Sequence, residues 1–322
     1  MKMMTGPAAR VGRVAVARAV ESGRQAMRPP PGPGDWLAGV VMGPGGALRY
    51  HLYRPPGVRI LERVPLLVML HGCGQDAKRF AVSTRMNRIA AREGFLVLYP
   101  EQSPMANVQR CWNWFETDTG RAHGEAGMIM RAIDQVCLLY PADRERVALA
   151  GLSAGASMAA LLAIRHPERF RAVVMHSGIP PGTAHSTMSA VGAMRGRRAP
   201  RQPAGLPSGS SLFGASGLPP LLAIHGGADT VVSIRNGHAA VRLWADAAGA
   251  VGGVPRIIQR GKRYPMAVTD FSAGGRTAAR LVEIGRLGHA WSGGAAGQPH
   301  SDSKGPDASG MIWTFVARAL RV

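Results

Sequence analysis

A serine held between small residues, Gly151-Leu152-Ser153-Ala154-Gly155, is the pattern in this chain with the most direct chemical meaning. A short predicted strand at 146–150 precedes it and a small-residue helix at 154–165 follows it. In that setting G-x-S-x-G is a nucleophile elbow, a tight strained turn that pushes the serine hydroxyl out above a sheet. Serine is a weak nucleophile and needs a base, which in turn needs an orienting acid. Of the ten histidines, His289 is the candidate base, in the loop Gly288-His289-Ala290-Trp291 beyond the last predicted strand; His300 is its nearby competitor. Asp229, after the strand at 221–225 and the turn Gly226-Gly227-Ala228, is the candidate acid. The alternative for Asp229 is a helix cap, and Asp246 and Asp270 are less well placed. A tetrahedral oxyanion needs two backbone donors. The amide of Ala154, directly after the serine, is one candidate. The amide of Cys73, in the turn His71-Gly72-Cys73-Gly74-Gln75, is the other. Together these residues specify acyl transfer through a serine ester.

The elements that must position them follow from periodicity. Strands are predicted at 48–54, 64–70, 95–99, 146–150, 170–176, 221–225 and 281–284, with a further one at 264–271. Helices are predicted at 80–92, 127–140, 154–165, 236–248 and 311–321. Their alternation argues an α/β fold with a mostly parallel central sheet flanked by helices. A basic, Pro/Gly-rich amino-terminal extension is expected over 1–45, carrying Pro29-Pro30-Pro31-Gly32-Pro33-Gly34. A catalytic domain is expected over 46–322, with a loop or lid insertion at about 183–217, where Gly, Ser, Pro and Arg replace any sustained period.

Composition narrows the class. Hydrophobic residues make up 46% of 322, enough for a sizeable core. No stretch approaches the roughly 18 apolar residues of a membrane span. Three cysteines fit neither a disulfide framework nor a zinc site, and acyl transfer through a serine ester implies no metal or cofactor. The formal charge of +20 comes from Arg scattered along the chain. It implies attraction to anionic polymers or surfaces but no specific nucleic-acid partner. A basic polymer- or nucleic-acid-binding protein on a hydrolase scaffold is the non-enzyme alternative.

Five blocks in order resemble the poly(3-hydroxybutyrate) depolymerase family of esterases, an α/β-hydrolase branch related to feruloyl and acetyl xylan esterases. They are Leu70–Gln75, Arg110-Cys111-Trp112-Asn113-Trp114-Phe115, Gly151–Ala156, His225–Asp229 and Gly288–Gly294. The resemblance implies the α/β-hydrolase fold, Ser153, Asp229 and His289 as a triad, Cys73 as an oxyanion donor, and hydrolysis of a polyester or small ester. It favours a disulfide between Cys73 and Cys111, against two buried thiols; Cys137 is read as a core thiol. Trp112, Trp114 and Trp291 are expected either to line an acyl or polymer cleft or to pack in the core. Feruloyl or acetyl xylan ester hydrolysis is the alternative activity. The family setting implies an extracellular or periplasmic location; without a clear secretion signal, cytoplasmic is the alternative. Oligomeric state is left open.

Overall fold

The computed structural model describes residues 29–200 and 217–321, and the elements below lie within the unit Gly32–Val322. The strands are β1 (Asp35–Gly43), β2 (Gly46–Arg54), β3 (Val64–Leu70), β4 (Leu96–Glu101), β5 (Ala142–Leu152), β6 (Ala172–His176), β7 (Leu221–Gly226), β8 (Val251–Gly252), β9 (Arg256–Ile258), β10 (Met266–Ala273), β11 (Arg276–Ile284), β12 (Trp291–Ser292) and β13 (Ser301–Asp302). The helices are α1 (Ala77–Thr84), α2 (Met86–Glu93), α3 (Arg121–Leu139), α4 (Ala154–Arg165), α5 (Thr187–Met194), α6 (Arg235–Ala248) and α7 (Ala308–Ala319).

The sheet runs in the order β1-β2-β4-β3-β5-β6-β7-β11-β10-β8, with β9 also on β10. From β4 to β11 every neighbouring pair is parallel, while β1, β2 and β10 pair antiparallel at the margins. This is the mostly parallel central sheet expected from the sequence.

Burial on both faces explains the unbroken apolar strands. In β3, Leu66, Val68 and Leu70 enter a core formed with α3, α4 and α6. Leu67 and Met69 point the other way, into a core formed with α1, α2 and α7. Parallel strands send all their carboxyl ends to one edge, and the loops there carry the candidate residues.

Three expectations need correction. The single helix at 80–92 is two helices, because Arg85 adopts a left-handed backbone (φ 57°) that breaks the hydrogen-bond ladder. The sheet begins at Asp35, inside the stretch read as an extension; β1 pairs with β2 from Asp35↔Arg54 to Gly43↔Gly46. Within 183–217, Ser186 caps α5, so part of that segment is regular. The rest of it, 201–216, and the amino-terminal 1–28 lie outside the described residues. Among the described residues no helix is long and apolar enough to cross a membrane.

Candidate active site

Strand β5 ends at Leu152 and α4 begins at Ala154, which leaves Ser153 alone in the turn at φ 55°, ψ −121°. A non-glycine residue there stores on the order of 1–3 kcal/mol of strain. Close packing holds it in place. A Cβ at Gly151 would lie 2.4 Å from the carbonyl of Gly155, and a Cβ at Gly155 would lie 2.1 Å from the carbonyl oxygen of Leu70. Only glycine permits both approaches, which press the elbow against the end of β3. The Ser153 amide donates to the carbonyl of His176 (2.9 Å), tying the elbow to β6.

The three residues proposed from sequence converge across 136 positions of chain. His289 Nε2 lies 2.9 Å from Ser153 Oγ, and His289 Nδ1 lies 2.7 Å from Asp229 Oδ2. An ionised carboxylate only accepts, so Nδ1 carries the proton and Nε2 is free to accept the serine hydroxyl. The Asp229 side chain is 0% exposed and that of His289 14%, so the acid is dry while the base faces the opening. Burial alone raises the Asp229 carboxyl. The hydrogen bond and charge of His289, the Val232 amide and the nearby His225 outweigh it and hold the group below the usual carboxylate range. Oδ1 meanwhile accepts from the amides of Val231 (2.9 Å) and Val232 (2.8 Å).

Acid and base loops brace each other. Gly227 N–H donates to the carbonyl of Ile284 and Ala228 N–H to that of Leu287. A Cβ at Gly226 would lie 2.1 Å from the Leu287 oxygen. His225, at the end of β7, donates Nε2–H to the Val232 carbonyl (2.9 Å) and closes the Asp229 turn. His300 makes no hydrogen bond to Ser153 or Asp229 among the described residues, and Asp270 is occupied by Arg256 and Arg280.

The turn after β3 is clamped on every side. His71 Nε2 accepts from the Gln102 amide (3.1 Å), which leaves Nδ1 to donate to the Gly72 carbonyl (2.8 Å). In a trans peptide the next N–H points opposite to that carbonyl, so the Cys73 amide is turned away from the imidazole. Gly72 N–H donates to Gln75 Oε1 (3.0 Å) and Gly74 N–H to the Gln109 carbonyl (2.7 Å). A Cβ at Gly72 would lie 3.5 Å from the Leu152 carbonyl, so this turn adjoins the elbow. Among the described residues, neither the Cys73 nor the Ala154 amide donates to a loop or side chain.

Cys73 and Cys111 form a disulfide spanning 38 positions, and Cys137 is a buried free thiol. Loop closure over that span stabilises by about 4 kcal/mol on the chain-entropy model. Replacing both cysteines, Cys73→Ser with Cys111→Ser, is expected to lower unfolding free energy by that amount in denaturant titrations.

Of the two expectations for the three tryptophans, burial supports packing in the core over lining a cleft. Trp112 and Trp291 are fully buried and Trp114 nearly so. Trp112 Nε1–H donates to the His71 carbonyl (3.1 Å). Trp291 Nε1–H donates to Ser309 Oγ (3.1 Å), its ring stacking on His176 and meeting Phe80 edge-on. Trp114 packs edge-on against Phe115. Each buried indole has its rings satisfied by packing, and Trp112 and Trp291 also satisfy their N–H groups. They brace the loops that carry the site.

His176 is the residue sequence reasoning missed. It ends β6, accepts from the Ser292 amide through Nε2 (3.2 Å) and meets Ser177 Oγ through Nδ1 (3.2 Å). It thus links the Ser153 elbow to the loop bearing His289. The signal available was a histidine closing an apolar strand. Burial, together with the neighbouring His225 and His289, pushes its imidazole down to about 3. The unfolded chain therefore binds a proton here that the folded chain refuses, between the ordinary value of 6.5 and about 3. Stability should fall with acidification through that window. Burial lowers His71 and His225 as well, with the same sign. Denaturant titrations stepped from pH 8 to pH 4 should show this slope, and His176→Gln should make it shallower.

Comparison with known proteins adds three findings. Residues 48–254 match the family model described as Esterase PHB depolymerase; Cys73, Ser153 and Asp229 lie inside the match and His289 beyond it. The chain is 28% identical over 284 residues to poly(3-hydroxyalkanoate) depolymerase C of Paucimonas lemoignei, covering 84% of this chain and 63% of that protein. It is 30% identical over 222 residues to feruloyl esterase B of Neurospora crassa, covering 65% of this chain and 74% of the relative. A probable acetylxylan esterase A of Aspergillus fumigatus is matched over 56% of its length. The chain thus spans about 60% of the length of the depolymerase and of the acetylxylan esterase. Among solved structures, the acetyl xylan esterase from Aspergillus awamori superposes with a TM-score of 0.61 at 21% identity, covering 79% of this chain and 94% of that one, a likeness of fold.

Proposed function

Because the chain belongs to the esterase PHB depolymerase family, we propose that it is a serine esterase hydrolysing poly(3-hydroxybutyrate) or its oligomers. The observation that carries this is the continuous hydrogen-bonded chain Ser153–His289–Asp229. Ser153 Oγ attacks the ester carbonyl while His289 Nε2 takes its proton. Asp229 holds the imidazole in the required tautomer and stabilises its charged form. The amides of Cys73 and Ala154 receive the oxyanion. When the tetrahedral intermediate collapses, His289 gives its proton to the leaving alcohol, and the acyl group remains on Ser153. Water then attacks, passing a proton to His289, and the carboxylic acid departs as the serine hydroxyl is restored.

The polyester reading draws its support from the depolymerase relative, which aligns over most of this chain. A second reading, hydrolysis of feruloyl or acetyl xylan esters, is favoured by the higher identity to feruloyl esterase B. The test combines a fluorophosphonate probe with an ester panel. Mass spectrometry should find one adduct, on Ser153, and hydroxybutyrate oligomers should be cleaved faster than feruloyl or acetylated sugars. The reverse preference would move the assignment to the second reading. Folded protein without an adduct would overturn both.

A further inference from the structure

On the side of the sheet covered by α7, a cavity of about 470 Å³ lies between that helix and the β9–β11 margin. Strand register explains its lining. Met266 stands opposite Ile258, Val268 opposite both Val282 and Arg256, and Asp270 opposite Arg280. Directly paired residues share a face. Helix α7 offers the cavity one stripe, Met311, Thr314, Phe315 and Arg318 at helical spacing, with Asp307 at its cap. Met266, Val268, Val282 and Phe315 are all buried and make an apolar floor.

Six arginines surround this floor: Arg92, Arg256, Arg260, Arg263, Arg280 and Arg318. Asp270 engages Arg256 (2.6 Å) and Arg280, and Glu93 engages Arg92 (2.7 Å). Asp307 spends one carboxylate oxygen on the Gly310 amide that starts the helix (3.1 Å). Arg263 donates to the carbonyls of Ser303 and Gly305. Among the described residues, Arg260, Arg263 and Arg318 make no ion pair. The cavity therefore joins an apolar floor to three guanidinium groups without carboxylate partners, and its volume suits a ligand of modest size.

We infer that this cavity binds an amphiphilic anion, a carboxylate carried on a medium-length alkyl chain. The planar guanidinium fork matches a carboxylate. The alkyl chain covers the floor, for which a hydrophilic polyanion has no use. A neutral lipid leaves the guanidinium groups unmatched. The inference does not rest on the esterase reading.

The test is calorimetric titration of the full chain with sodium decanoate below its micellar concentration, beside butyrate, 1-decanol and heparin. Decanoate should bind at one equivalent, and butyrate and decanol each about tenfold more weakly or worse. Arg260→Ala with Arg318→Ala should weaken decanoate about tenfold, and Thr314→Trp, at the exposed rim, should obstruct it. Circular dichroism and thermal melting would show both variants folded, and their turnover of a p-nitrophenyl butyrate ester should match the parent. Absence of decanoate binding overturns the inference. So does binding that both variants leave unchanged, or decanol binding as tightly as decanoate. Heparin binding with no dependence on alkyl length in the other arms would reassign the site to polyanions.

Discussion

Ser153→Ala is expected to cut kcat on short-chain esters by a factor on the order of 10⁴ to 10⁶, with little change in Tm. The large loss follows from position, since the hydroxyl is the atom His289 Nε2 faces at 2.9 Å. The small change in stability follows because Ser153 is held by its backbone. Its amide bonds to His176 and its carbonyl accepts from Ser157, and alanine keeps both. The strain at φ 55° is equally present in alanine, so the variant should neither gain nor lose on that account. Steady-state kinetics and calorimetric melting on the same preparation check both halves. Wild-type turnover in the purified variant would remove Ser153 from the mechanism.

Asp229→Asn is expected to lower kcat about 10⁴-fold while leaving the fold intact. The local hydrogen bonds determine how asparagine would sit. Two amides, of Val231 and Val232, point at Oδ1, so the amide oxygen takes that seat. The NH₂ group then occupies the Oδ2 position, 2.7 Å from His289 Nδ1. A donor there forces Nδ1 to accept, moves the imidazole proton to Nε2 and leaves no acceptor for the serine hydroxyl. Turnover measured across pH, beside nuclear magnetic resonance of the imidazole protons, distinguishes this tautomer effect from simple misfolding. A variant retaining the parent kcat would mean that Asp229 serves only as the turn-forming residue that its Oδ1 contacts describe.

Much of this arrangement was legible in the residues, for local reasons. Val64 to Leu70 is buried on both faces, and its unbroken apolar run says so. The elbow announces itself because only glycine tolerates the approaches at Gly151 and Gly155. Asp229 follows a glycine turn at a strand end, and the same logic locates His289. The errors arose where distant partners decide. No helical period reveals that Arg85 turns left-handed between two short helices. β1 hides behind a run of Pro and Gly, and its alternation is diluted by exposed Val40 and Met42 at a sheet margin. The sequence leaves the tryptophans open between cleft and core because the partner of the Trp112 N–H lies 41 positions away, at His71. His176 shows its role only once Ser292, 116 positions later, is beside it.

The candidate site is carried on two couples of neighbouring strands. β3 and β5 hold the turn with Cys73 and the elbow, and β7 and β11 hold the acid and base loops. β6 is the single strand between them. It acts as a spacer gauge: backbone hydrogen bonds fix neighbouring strands about 4.8 Å apart, so two such spacings separate the strand that leads to Ser153 from the strand that leads to Asp229. The side chains of Val173 and Met175 enter one core and that of Val174 the other, so conservative substitutions there should change core packing and leave that spacing in place.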